Sequence, residues 1–253
     1  MDNTLIIGID CAVDPKKVGV AAARVFADHP DQLILEAAVL CSKDHPPVDV
    51  VRDLVPEDGS ALLAFDSPLG WPEPLARELI SHWAGEPIST VADALFRRHT
   101  DRFIKERTRQ QSLDVGADRI ARTARAALAV LGGLRQELDE EIPLAWTTNL
   151  QSRIAAIEVY PAATLKVRGI ENKGYKDKKK AEHRKKRELI LDALDLELDA
   201  GKHRETLLDK ADVLDAALCT VAGLDFLRRR CWEPTDLEAA QKEGWIWVRR
   251  NDL

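Results

Sequence analysis

TLIIGID, residues 4 to 10, is apolar from Leu5 to Ile9 and ends on Asp10. A short apolar run closed by a polar residue reads as a buried strand. The same signature recurs in ALLAFD, 61 to 66, which ends on Asp66. It returns in IAAIEVY, 154 to 160, where Glu158 lies near the end and Pro161 stops the run. Between the first two lie KVGVAAARV (17 to 25) and QLILEAAVL (32 to 40), separated by the turn-rich DHPD at 28 to 31. Three strands at this short spacing predict an antiparallel meander.

Helical signals fill the rest. Val48 to Leu54 follows two prolines and is stopped by Pro56. SPLGWPEP, after Asp66, predicts a rigid turn before a helix through about Trp83. Residues 89 to 138 read as helical, with Ile120, Ala124, Ala127, Leu131 and Leu134 at helical spacing. Further helices are expected from about Lys178 to Leu194 and from about Leu207 to Arg229, with GWIWVR (244 to 249) as a closing strand. The order predicts one α/β domain over 1–253, with a helical insertion at about 85–150.

Composition bounds the class. With 253 residues, 45% hydrophobic and 32% charged, the chain can bury a core, which excludes disordered and collagen-like proteins. Apolar runs are too short to span a membrane, and MDNTLIIGID lacks the basic start and long apolar stretch of a signal peptide. Cysteines at 11, 41, 219 and 231 show no CxxC spacing, so no zinc ribbon or disulfide framework is expected, and a cytoplasmic location fits. The net charge of −6 hides an asymmetry: Lys166 to Arg187 holds eleven basic residues against three acids. Such a segment can steer a polyanion to one place on an acidic body, or simply be a solvated face.

The acids carry the chemistry. Asp10, Asp66 and Glu158 fall at strand ends, and in an open α/β sheet ligands gather beyond the carboxyl ends of strands. Asp212 and Asp215 are three apart on the last helix, and Cys219 and Ala222 continue that row as a small, apolar face. Ala211, Ala216 and Ala217 would let this helix sit close to the sheet. Carboxylates on such faces are costly unless a cation, a base or water meets them; turn capping and pairing with a nearby base are the other readings. Oxygen ligands without histidine or cysteine suit Mg²⁺ or Mn²⁺. Carboxylates converging on two such ions are a device for in-line phosphodiester hydrolysis.

GIDCA (8 to 12), AFDSPLGWP (64 to 72), RRHTD (97 to 101), IEVYPAA (157 to 163), DKADVLDAALC (209 to 219) and EGWIWV (243 to 248) together resemble one family over essentially the whole chain. It is the bacterial and archaeal family numbered 429 among the domains of unknown function, described as a predicted nuclease with a ribonuclease H-like fold. The resemblance implies a five-stranded mixed sheet in order 3-2-1-4-5, flanked by helices. It also implies Mg²⁺ or Mn²⁺ on Asp10, Asp66, Asp212 and Asp215, positions that match the metal-binding acids of Holliday-junction resolvases and related nucleases. Asp10 would bridge two ions, Asp66 and either Asp212 or Asp215 would hold one each, and Glu158 would act behind them or as a further ligand.

Substrate contacts are expected elsewhere. Arg98 is suited to a bidentate phosphate contact with Thr100 and Asp101 as polar partners, although a helix N-cap at Thr100 followed by Asp101 fits the motif equally. Tyr160 stands in the EVYP motif. Lys173, Lys176, Lys178, Lys179 and Lys180 surround Tyr175, a pattern that can hold a strand by charge and stacking. The arginines at 119, 122 and 125 form a basic row on a helix, which could meet a backbone or only solvent. A nucleic-acid partner and metal-dependent nuclease activity are the leading expectation; the oligomeric state stays open, a homodimer included. A nucleotide- or small phosphorylated-substrate-handling enzyme of the same fold is the alternative, although the sugar-kinase type needs two copies of the fold. A non-catalytic nucleic-acid-binding protein is the third reading.

Overall fold

In the computed structural model, which describes residues 4–26, 29–176 and 181–251, six strands form one mixed sheet. They are β1 (Leu5–Asp10), β2 (Gly19–Phe26), β3 (His29–Leu40), β4 (Ala61–Asp66), β5 (Ile154–Glu158) and β6 (Leu198–Asp199). The order is β5-β4-β1-β2-β3-β6. The expected run 3-2-1-4-5 is therefore present, but the sheet has six strands and not five. β6 is a two-residue strand parallel to β3 at Leu33 and Ile34, too short to leave a periodic signal. β1–β2 and β2–β3 are antiparallel, as the meander predicts, while β1–β4 and β4–β5 are parallel.

The helices are α1 (Pro47–Leu54), α2 (Glu73–Ser81), α3 (Ala92–Phe96), α4 (His99–Thr108), α5 (Ile120–Leu138), α6 (Pro161–Val167), α7 (Ala181–Ala193), α8 (Arg204–Asp209), α9 (Ala211–Leu227) and α10 (Leu237–Glu243). Alternation along the strands separates two cores. Ile6, Ala21, Leu62, Ala64 and Ile157 pack with α9 on one face. Ile7, Ile9, Val20, Leu63 and Phe65 pack on the other with Val50 and Val51 of α1 and Leu131 and Leu134 of α5.

Three sequence expectations are corrected. The helical stretch 89 to 138 is interrupted: α4 ends on Arg109 in the left-handed region (φ 57°), and an irregular segment precedes α5. The last helix breaks at Lys210, whose extended backbone (φ −121°, ψ 98°) ends α8 and begins α9. The 244 to 249 segment is not a strand; Ile246 and Arg249 make isolated bridges to Glu158 and Cys231, and Trp247 N–H donates to the Glu158 carbonyl at 2.9 Å.

α9 lies directly on β1 and β2. A Cβ added at Gly8 would fall 1.9 Å from the Ala216 carbonyl oxygen, and one at Gly19 would fall 2.1 Å from that of Asp212. The two glycines, with Ala216 across from Gly8, let the helix reach the sheet backbone. No helix among the described residues is long and apolar enough to cross a membrane.

Candidate metal centre

The parity of the strands aims the acids. Asp10 shares its face with Ile6 and Gly8, and Asp66 shares its face with Leu62 and Ala64, so both point to the α9 side. The two are paired in register at the carboxyl ends of parallel neighbours β1 and β4. α9 brings Asp215 down on them from above. Asp10, Asp66 and Asp215 each offer a carboxylate oxygen, and these atoms lie within 4.8 Å of one another. Asp10 and Asp66 are half-buried and Asp215 is buried. A cavity of about 390 Å³ opens over Asp10 and Asp66, walled by Cys11, Leu113, Tyr160 and Lys176 among others.

The electrostatics follow from crowding like charges out of water. Burial pushes the Asp10 carboxyl well above its ordinary value, and the Asp215 and Asp66 carboxylates push it further. Burial lifts Asp66 to about 7, although the Lys176 ammonium pulls it down. Burial also raises Asp215, against the Lys176 charge and the hydrogen bonds from Lys176 and Tyr175. Three converging carboxylates that resist ionisation together are a set a cation relieves, and all-oxygen donors fit Mg²⁺ or Mn²⁺. The residues therefore fit a divalent ion.

Asp212 sits one turn nearer the start of α9 and is half-buried. Its charge acts on Asp10 and Asp215, but it is outside the group of three. Glu158 is also outside that group. It pairs with Phe65 in register and so faces the side of the sheet away from α9. There both of its oxygens are taken by Arg98, at 2.6 and 2.8 Å, and one also accepts from the Leu69 N–H at 3.0 Å. Glu158 is therefore not one of the three clustered acids, although it lines the same cavity and its charge acts on Asp66, which leaves it a place behind them.

Arg98 is corrected in the same way. It is 1% exposed, and its guanidinium reaches both Asp101 oxygens at 3.0 Å, both Glu158 oxygens, and the Glu243 carbonyl at 3.2 Å. Five donors meet five acceptor contacts, so none is left for a phosphate. Asp101 is buried and also accepts from the Arg98 N–H (3.0 Å) and the Ser112 hydroxyl (2.9 Å), closing the start of α4. RRHTD does cap a helix, but at Arg98 and not at Thr100: Asp101 accepts the Arg98 N–H, while Thr100 lies inside α4 and accepts from the Ile246 N–H at 2.9 Å.

The lysine-rich segment divides. Lys173 is exposed. Tyr175 is 1% exposed and donates its hydroxyl to Asp215 at 2.6 Å, so it is no stacking platform. Lys176 meets the other Asp215 oxygen at 2.5 Å, and so acts as a counter-ion to the acids. Lys178, Lys179 and Lys180 lie outside the described residues. Tyr160 borders the cavity, donates to the Gln111 carbonyl at 3.1 Å and accepts from Gln110 at 3.2 Å. Arg119, Arg122 and Arg125 are exposed on α5 and just before it. The role of Tyr175 was not legible in the sequence, because nothing local pairs it with a residue forty positions on.

Fold and site together define an α/β protein whose mixed sheet, flanked by helices, carries a three-carboxylate centre at its carboxyl edge. The chain belongs to the family described as "Protein of unknown function (DUF429)", whose model matches residues 8–238. Among solved structures it is similar to Thermus thermophilus RuvC, at 11% identity and a TM-score of 0.31, over 87% of this chain and 97% of that one. No match is found among curated proteins.

Proposed function

We propose that this is a ribonuclease H-like fold carrying a metal-dependent phosphodiesterase, with nucleic acid as its substrate. The observation that carries the reading is the convergence of Asp10, Asp66 and Asp215 within 4.8 Å at the carboxyl ends of two parallel strands. Asp10, paired with Asp66 in register, would be the central ligand, and Asp212 would act from behind Asp215. A divalent ion bound there supplies Lewis-acid activation of water and stabilises the leaving oxygen. The protein's own part is to hold the carboxylates rigidly, to keep the site partly dry beneath Tyr160 and Leu113, and to offer Lys176 at the cavity wall.

A second reading is favoured by the cavity itself. About 390 Å³ lies within the range of small-ligand pockets, so a small phosphorylated compound is the alternative substrate. The test is a cleavage panel in Mn²⁺ and in Mg²⁺, with single-stranded, duplex and branched nucleic acids beside nucleotides and sugar phosphates. We expect metal-dependent cleavage of at least one nucleic acid, lost in Asp10→Asn. Turnover of small phosphates alone moves the assignment to the second reading. Wild-type protein that takes up no Mn²⁺ in titration calorimetry removes both.

A further inference from the structure

Asp215 is not an open ligand. Its Oδ1 accepts from the Tyr175 hydroxyl at 2.6 Å, and its Oδ2 meets the Lys176 ammonium at 2.5 Å. Both partners come from one short segment, and that segment is fastened from behind. Lys186 of α7 donates to the Lys173 carbonyl at 3.3 Å, and the adjacent Arg187 donates to the Tyr175 carbonyl. Arg187 is buried and also donates to the Leu208 carbonyl at 2.6 Å, just ahead of α9. Its donors therefore join the segment to the approach of the helix that bears Asp215. Gly174 takes φ +71°, a conformation that lets the chain turn between the two stitched residues, and Lys186 packs where its Cβ would stand. Tyr175 is itself buried. The Lys176 side chain is itself 61% exposed, so this scaffolding and not burial is what holds its ammonium at the carboxylate oxygen.

The charge of Lys176 also acts on Asp66 and Asp10 as well as on Asp215. We propose that Lys176 is a resident cation of the centre, occupying the side of Asp215 that a second divalent ion would need. The centre then closes around one divalent ion and one ammonium, where carboxylate clusters of this kind suggest two ions. The inference rests on the metal reading above. Its physical content is that a divalent ion beside the ammonium on the same carboxylate would meet like charge at contact distance. One divalent ion and the ammonium together balance the three clustered carboxylates, and Asp212 outside them leaves a single residual charge.

The experiment counts ions on the full chain, using Mn²⁺ alone as the probe. Titration calorimetry gives the number bound, and electron paramagnetic resonance reports whether two Mn²⁺ ions are spin-coupled. We expect one Mn²⁺ per chain and no coupled pair in the wild type. Lys176→Gln removes the charge and keeps a polar side chain, and is expected to take up a second ion with a coupled signal. Lys176→Arg keeps the charge and is expected to stay at one. A coupled pair in the wild type overturns the proposal, and so does Lys176→Gln remaining at one ion or Lys176→Arg taking two. A wild type that binds no Mn²⁺ defeats the metal reading itself, a result distinct from any of these. Circular dichroism of each variant confirms that the counted protein is folded.

Discussion

Asp212 and Asp215 stand three residues apart on α9, and burial separates them: Asp215 is 1% exposed and meets Tyr175 and Lys176, while Asp212 is half-buried and stands outside the three-acid group. Asp215→Asn is therefore expected to cost more Mn²⁺ affinity than Asp212→Asn, whose loss should resemble that of an outer partner, on the order of tenfold. Calorimetric titration of the two variants checks the order, and a larger loss from Asp212→Asn reverses it. Arg98 presents the opposite case, a charge that holds structure together. Its removal would strand Asp101 and Glu158, both buried, without their cation. Breaking one partner out of a buried ionic network typically costs about 3–5 kcal/mol. Denaturant unfolding of Arg98→Ala should show a loss of that size; a loss under about 1 kcal/mol would put Arg98 among ordinary surface pairs.

At the scale of elements, the contact of α9 with β1 and β2 decides whether the acids meet. Gly8 and Gly19 are the points of closest approach, and a methyl group at Gly8 would have to displace the Ala216 carbonyl. Gly8→Ala is expected to lift α9, at a cost of about 1–3 kcal/mol or more, and to weaken Mn²⁺ binding although it touches no ligand. Thermal melting and Mn²⁺ titration read the two effects, and normal affinity in a destabilised variant would show that the helix registers on other contacts. α7 carries the basic segment, yet several of its cations have inward or local partners: Arg184 pairs with Glu205 at 2.7 Å and with Asp209, Lys186 holds Lys173, and Arg187 is buried. Lys173 and Lys185 are exposed and stand outside the acid centre. Replacing both with Gln should lower the slope of log affinity against log salt for nucleic acid by about 2 if each neutralises a phosphate. An unchanged slope makes this segment a solvated face.

For the whole molecule the acid centre sets the pH dependence. Asp66 titrates near 7 in the folded chain against an ordinary 3.8, and Asp10 and Asp215 move in the same direction. Between those two values the folded state holds protons that the unfolded state has released, so this group's contribution to stability falls as pH rises. Melting of the metal-free protein should therefore lose stability from about pH 4 to about pH 7 relative to Asp66→Asn. Mn²⁺ must displace those protons, so its stabilising effect should grow over the same range. A metal-induced gain that shrinks with rising pH would contradict the assignment of these acids.

The strands β1, β2, β3, β4 and β5 were legible in the sequence because apolar runs closed by Asp or Pro, or set apart by a turn-rich stretch such as DHPD, are local signals. Asp10 and Asp66 stood out for the same reason, each being the last residue of such a run. β6 was not legible, since two residues have no period and are a strand only where β3 lies beside them. Glu158 looked like a third strand-end acid, but its face depends on register with β4, a relation between distant segments. Arg98 and Tyr175 likewise took their roles from partners 60 and 40 residues away. The sequence by itself determined which segments are strands, that acids end them and that a helix rich in small residues carries two more. Only the tertiary structure decided which three acids share a space, because burial, strand parity and the approach of α9 are set by packing and not by neighbours along the chain.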